Sequence, residues 1–431
     1  MLNSKTKVTL KGRCEMKKLK GLGLDYWKYW FASAGSMAAS NILQYVLALY
    51  VMDITGSATI FASMLSIILF PRLLLTPLAG VISDRNDRMK VMSIVLLGET
   101  VVLAVSALIS RMITIHVAGI FAIVTILEIG EVFYGAAENA VIPKLVKKEV
   151  IPDAIAVSKA DDGIVFVLSP MIAAIIYTRF NLSLAFLIVG LFDLIGALIQ
   201  KSIRSDCRSI SDKKEFSFWS DFKEGIAVIK GNSFLKRYIV ALPIIDAFFG
   251  ATFSVSICYL FRIVYQLDAY QYGLYNSVTA TTTIWVPLLV IPLVQKLKPD
   301  MIFKTSTMLI AMEIALIGVF AYMGVSQIMP IYAVVIVITI LDCMTIAEAI
   351  PMQMAGSILL QTGIDEKYLG RVSSVIGVVS SISIAAGELL FGILDDCINV
   401  PLTIIVGALG VAFGAVVYSL GRHEKDVAVQ R

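Results

Sequence analysis

Three glutamates, Glu128, Glu131 and Glu138, interrupt an otherwise apolar stretch long enough to cross a lipid bilayer. Ionisable groups at that depth are expensive. An aspartate or arginine at the centre of a span costs about 2.5–3.5 kcal/mol on insertion scales. Those that persist usually face a bundle interior or a watery cavity and mark a pathway. Successive helical residues turn by about 100°, so the three glutamates fall within roughly 80° of one another and form one acidic stripe. A second apolar stretch carries Asp342 and Glu348, and a third carries Asp246. Arg72 sits mid-stretch beside Pro71 and requires a partner; a carboxylate from the same half of the chain is expected. Carboxyl groups in an apolar cavity suit two tasks. Their charged form is disfavoured, so protons exchange nearer neutrality; a bound cation restores the charge and expels the proton. That competition couples two fluxes without any covalent step.

Other chemistry has little to stand on. His116 and His423 are the only histidines, and neither lies mid-span, so no Ser/His/Asp set can form inside the bilayer. The chain lacks a GxxxxGK[ST] phosphate loop, which excludes ATP hydrolysis by that device. Five cysteines, Cys14, Cys207, Cys258, Cys343 and Cys397, form no CxxC pair, so no zinc site is expected. No catalytic residue, metal or cofactor is therefore expected. Basic residues form no stripe, and nucleic acid is not an expected partner. Asp161 and Asp162 sit together with Lys159 nearby to offset one of them.

The elements that must position these groups are membrane helices. Of 431 residues, 58% are hydrophobic and 16% charged, against roughly 25% charged in a soluble domain. A ruler of about 20 apolar residues per span yields an all-α membrane protein of twelve transmembrane helices. The longest loop divides six spans from six. The expected organisation is a cytoplasmic arm over 1–26, a six-helix bundle over 27–201, a linker over 202–237, a second six-helix bundle over 238–420 and a tail over 421–431. Thirty-one of the 36 lysines and arginines fall on one face of this arrangement, three on the other and two within spans. Both termini are then cytoplasmic. In the linker, Phe218, Trp219, Phe222, Ile226 and Ile229 repeat at helical spacing, with Asp221 and Glu224 as a start signal. The pattern predicts an amphipathic helix on the membrane surface. An offset of 217 residues superposes Gly56 on Gly273, Glu131 on Glu348 and Glu149 on Glu366, a weak duplication of a six-helix unit.

The turn between the second and third spans reads GVISDRNDRMK, Gly80 to Lys90. With twelve spans and a 6+6 division, this turn resembles the signature of the major facilitator superfamily, whose glycine, Asp-Arg pair and further basic residue are here Gly80, Asp84, Arg85 and Arg88. FPRLLLTPLAG (70–80), PMQMAGSILLQTGIDEKYLGRV (351–372) and DITGSA (53–58) are similar to the bacterial subgroup of macrolide-efflux and enterobactin-export proteins. The resemblance implies that the fourth and tenth spans line a central cavity, bringing Glu131 and Glu348 to a shared hollow. It implies a gate at the cytoplasmic turn. There Gly80 admits a facing helix, Asp84 meets a helix N-terminus, and Arg85 and Arg88 bridge to acids. It implies a plasma-membrane transporter working by alternating access, with one chain able to act as a monomer. The acidic stripe favours a proton-coupled exporter of cationic or amphiphilic small molecules. Export of a siderophore or lysophospholipid on the same fold, and a non-transporting receptor or scaffold, remain the alternatives.

Overall fold

The computed structural model describes residues 22–139, 141–203, 218–294 and 296–420. The arm before Leu22, the tail after Leu420 and the linker between 204 and 217 lie outside the described residues. Twelve helices are long and apolar enough to cross a membrane: α1 Leu24–Thr55, α2 Ala58–Arg85, α3 Arg88–Met112, α4 Val117–Glu138, α5 Lys148–Arg179, α6 Leu182–Lys201, α7 Ser233–Val264, α8 Ala269–Ile291, α9 Pro299–Val325, α10 Ile331–Gly363, α11 Lys367–Cys397 and α12 Val400–Ser419. No strand occurs among the described residues. Their outer surfaces carry bare apolar side chains such as Leu74, Met112 and Leu288, each more than 70% exposed. Patches of this kind are untenable in water and ordinary against lipid.

By contact the chain divides into two compact units: Met1–Leu47 with Phe70–Lys214, and Ala48–Leu69 with Glu215–Arg431. The first two helices therefore each contribute to both. In α2 the passage coincides with a break. Helix runs from Ala58 to Ile67 and again from Leu69 to Arg85. Pro71 explains the interruption, because it offers no N–H and its ring crowds the carbonyl of Ile67 four residues earlier. Polar contacts fix the 48–69 segment within the second unit. Asp396 accepts from Ser57 Oγ at 2.6 Å and from the amides of Ala58 and Thr59 at 2.8 and 3.0 Å. This carboxylate caps a helix N-terminus, where otherwise orphaned donors and the helix dipole favour an anion. Arg262 donates to both oxygens of Asp53 at 2.7 Å.

Each unit has the same internal pattern. In the first, α3 packs against both α4 and α6; in the second, α9 packs against both α10 and α12. Ser93 Oγ donates to the Ala197 carbonyl at 2.9 Å and Ser183 Oγ to that of Ala107 at 2.8 Å, tying α3 to α6 at two levels. The repeat expected from the sequence is uneven in detail. Glu131 and Glu348 do occupy α4 and α10. Gly56 and Gly273, however, are not equivalent: Gly56 turns the chain between α1 and α2 at φ +58°, whereas Gly273 lies inside α8. In α7, two π-helical stretches, Thr252–Ser256 and Leu260–Val264, interrupt the α-helical bonding, a widening that often accompanies functional segments.

The linker helix spans Phe218–Gly231. It is already helical at Phe218, so Asp221 falls inside it and does not start it. It packs on the first turns of α11 within the second unit. Glu224 pairs with Arg371 at 2.7 Å. Gly225 lets the two backbones meet, since a Cβ there would lie 2.7 Å from the Arg371 carbonyl oxygen. A helix face expected to lie on the membrane is thus spent, at least in part, on a protein neighbour.

Candidate functional site

In the first unit, α4 presents its acids to three different sets of partners. Arg72 on α2 donates through Nε to Glu128, so the arginine finds a carboxylate from its own half. The Glu128 side chain is 9% exposed and that of Arg72 58%. Glu138, at the end of α4, accepts through Oε1 from Ser33 Oγ and from the Tyr29 hydroxyl, both on α1. Glu131 lies between them, half-buried, within electrostatic reach of Glu128, Glu138 and Arg72. The stripe expected along α4 is therefore present, but it is segmented by its neighbours.

Two acids outside the sequence's candidate set, Glu99 and Asp193, belong to this group. The charge of Glu99 on α3 acts with those of Glu131, Glu128 and Asp193. Its carboxylate presses against Gly130, where a Cβ would overlap Oε1. Glycine at 130 thereby makes the notch that seats a second carboxylate beside Glu131. Asp193 on α6 is 4% exposed and accepts from Ser36 Oγ at 3.3 Å. A signal for Glu99 was available. It precedes the turn at 113–116 by about as many residues as Glu131 follows it, and an antiparallel hairpin brings such positions to one depth.

The second unit holds a related set. Asp342 on α10 is 4% exposed and accepts from the Tyr275 hydroxyl at 2.6 Å. Glu348, under two turns later, accepts from Ser306 Oγ on α9 at 2.7 Å. Glu313 on α9 is 3% exposed and lies within electrostatic reach of Glu348. Glu388 on α11 accepts from Ser254 at 3.2 Å and Ser66 at 3.5 Å. Asp246 on α7 is half-buried, and no hydrogen bond among the described residues joins it to Asp342 or Glu348.

The turn at 80–90 is arranged locally. Arg88, buried, pairs with Asp84 four residues earlier at 2.9 Å. Asp87 caps α3 by accepting from the Met89 amide at 3.1 Å. Arg85 is exposed. Nothing among the described residues lies within 4 Å of a Cβ placed at Gly80. The helix expected to press against that glycine is therefore not seen, and Asp84 meets an arginine where a helix N-terminus was expected. In α5, Lys159 pairs with Asp162 at 2.7 Å. No group of three or more His, Cys, Asp or Glu suited to a metal occurs among the described residues.

The profile of the Major Facilitator Superfamily matches residues 29–388. Macrolide efflux protein A of Streptococcus pyogenes is 26% identical over 397 residues, covering 89% of this chain and 93% of that protein. Among solved structures, a nucleoside transporter, NupG, superposes with a TM-score of 0.73 at 11% identity, over 93% of this chain and 100% of the other. A bacterial homologue of the iron transporter ferroportin superposes with a TM-score of 0.70 at 14% identity, over 93% and 99%. At these identities the structural matches speak to the fold.

Proposed function

The chain belongs to the major facilitator superfamily, and from that premise we propose that it is a proton-coupled exporter of cationic or amphiphilic small molecules. It would reside in the cell membrane as a monomer with both termini cytoplasmic. Two six-helix bundles, 27–201 and 238–420, would give alternating access, with the acids of α4 and α10 as the candidate proton or substrate groups. The multi-pass membrane character is plain from the twelve helices. The macrolide efflux relative supports the direction of transport and the size class of cargo.

The observation that carries the reading is the charge balance around Glu131. Glu99, Glu128 and Glu138 surround it, and Arg72 is the cation among its electrostatic partners. Arg72 faces Glu128 and Glu131 and Lys159 reaches Glu138, so the fixed positive charges are fewer than the acids. The remainder must be met by protons or by a cationic cargo, because uncompensated charge at membrane depth is costly. Exchange of one for the other is transport with coupling.

The test is efflux in proteoliposomes under an imposed proton gradient, with a fluorescent lipophilic cation as cargo. Rates should collapse when a protonophore removes the gradient. Rates indifferent to the gradient remove the coupling, and absence of any cargo movement removes the exporter.

A further inference from the structure

A pocket of about 260 Å³ opens within the first unit, where α1 and α5 begin and α4 ends. Its lining includes the aromatic side chains of Tyr29 and Trp30 and the charged groups of Glu138, Lys159, Asp161 and Asp162. These charges do not cancel. Lys159 is taken by Asp162. Asp161 has no hydrogen bond or ion pair among the described residues, and Glu138 receives only hydroxyl donors, both on Oε1. The lining thus carries three carboxylates against one lysine, and the two of them that make no ion pair, Glu138 and Asp161, share the pocket with two aromatic side chains.

The position matters as much as the charge. Tyr29 and Trp30 lie within two turns of the start of α1, at the depth where aromatic residues form interfacial belts. An amphiphile dissolved in the bilayer holds its polar head at that same depth. The pocket is too small for a whole drug-sized molecule, whose sites run to about 300–1,000 Å³. It suits a head group. Aromatic rings attract an ammonium through their quadrupole, and carboxylates supply the opposite charge.

We propose that this pocket is an entry site for the ammonium head of an amphiphilic organic cation, held by Glu138 and Asp161 beside the rings of Tyr29 and Trp30. It rests on the proposed export of cationic amphiphiles and precedes the exchange at Glu131. The head docks at the interface while the apolar tail remains in lipid. Glu138, the last acid of α4, belongs both to this pocket and to the electrostatic surroundings of Glu131. That shared residue gives a bound cation a route inward along one helix.

The probe is benzyltrimethylammonium, titrated calorimetrically into the full chain in lipid nanodiscs. Saturable binding is expected, weakened about tenfold by Asp161→Asn and at least about tenfold by Glu138→Gln, each removing one of two charges. A second measurement does not depend on the acid variants folding. With Trp27, Trp219 and Trp285 replaced by phenylalanine, 4-bromobenzyltrimethylammonium should quench the fluorescence of Trp30 with the same saturation curve. No saturable binding, affinity unchanged by both acid variants, or binding without quenching of Trp30 overturns the pocket. Binding that meets these expectations in a protein that moves no cation when a proton gradient is imposed keeps the pocket and overturns the exporter.

Discussion

The two units solve the same problem with different partners. In the first, Glu99 on α3 stands beside Glu131 on α4; in the second, Glu313 on α9 stands near Glu348 on α10. The helices correspond under the 217-residue offset and pack alike. The surroundings do not correspond. The first unit adds a fixed cation, Arg72, against Glu128 and a third acid, Glu138, at the helix end. The second meets its acids with hydroxyls, Tyr275 on Asp342 and Ser306 on Glu348. An arginine stays charged whatever else happens, so it sets a charge the acids around it must balance. A hydroxyl brings no charge and imposes none. On the proposed reading the first unit, with hydroxyls and a fixed cation, would be the seat of charge exchange, and the second, whose Asp342 and Glu348 meet hydroxyls, would not.

If that contrast is real, removing Arg72 is the most damaging single change. Arg72→Met leaves Glu128 buried without its cation. Breaking a pair in this way is expected to lower stability by about 3 kcal/mol, the low end for buried pairs because Arg72 is itself half exposed. Tyr275→Phe should cost less, about 1–2 kcal/mol, as one hydrogen bond to Asp342 is lost. Thermal unfolding of the detergent-solubilised protein measures both. Adding Glu128→Leu to Arg72→Met should recover much of the loss, since the stranded charge is then gone. Equal penalties for Arg72→Met and Tyr275→Phe would erase the distinction between the units.

The transport counterpart compares Glu131→Gln with Glu348→Gln. Glu131→Gln should reduce gradient-driven efflux about tenfold or more, equivalent to roughly 1.4 kcal/mol on the activation barrier, and flatten its dependence on external pH. Glu348→Gln keeps the hydrogen-bonding shape of a side chain held by Ser306 and should leave pH dependence in place with a smaller loss of rate. Initial rates at two external pH values separate the outcomes. Similar flattening by both substitutions would make the second unit an equal partner in proton exchange.

A subtler test asks whether Glu99 truly supports Glu131. Gly130→Ala places a methyl in the notch that holds the Glu99 carboxylate, and overpacking of this kind costs about 1–3 kcal/mol. Gly135→Ala, on the same helix with nothing within 4 Å of its Cβ, should be neutral or slightly stabilising. A pH profile of efflux that shifts for Gly130→Ala and not for Gly135→Ala ties Glu99 to the proton step. Identical behaviour of the two variants detaches it.

Much of this architecture was legible because lipid leaves few choices. Apolar runs of membrane length, separated by basic turns, have one economical reading, and Arg72 had to find an acid. What escaped were matters of register and long-range approach. Glu99 was missed because its partner depends on how α3 and α4 align and on the gap at Gly130. The attachment of 48–69 to the second unit rests on pairs such as Asp53 with Arg262, 209 residues apart, which no local pattern announces. The linker showed its apolar face clearly, yet that face is equally suited to a bilayer and to α11. Gly80 suggested a close approach, and among the described residues nothing lies within 4 Å of a Cβ placed there.

The linker provides the smallest predicted effect and confines the comparison to the helices. Glu224 and Arg371 are 42% and 35% exposed, so water competes for both charges and salt screens what remains. Glu224→Gln should change stability by no more than about 0.5 kcal/mol, and raising the salt concentration should shrink even that difference. Gly225 is the firmer part of the contact, because backbone there meets backbone. If Glu224→Gln destabilised the protein as much as Arg72→Met, or abolished the pH dependence of efflux, the seat of exchange would have to include the linker. The asymmetry between the two acid sets would then describe only part of the mechanism. A near-silent Glu224→Gln beside a damaging Arg72→Met places the decisive charges within the spans of the first unit.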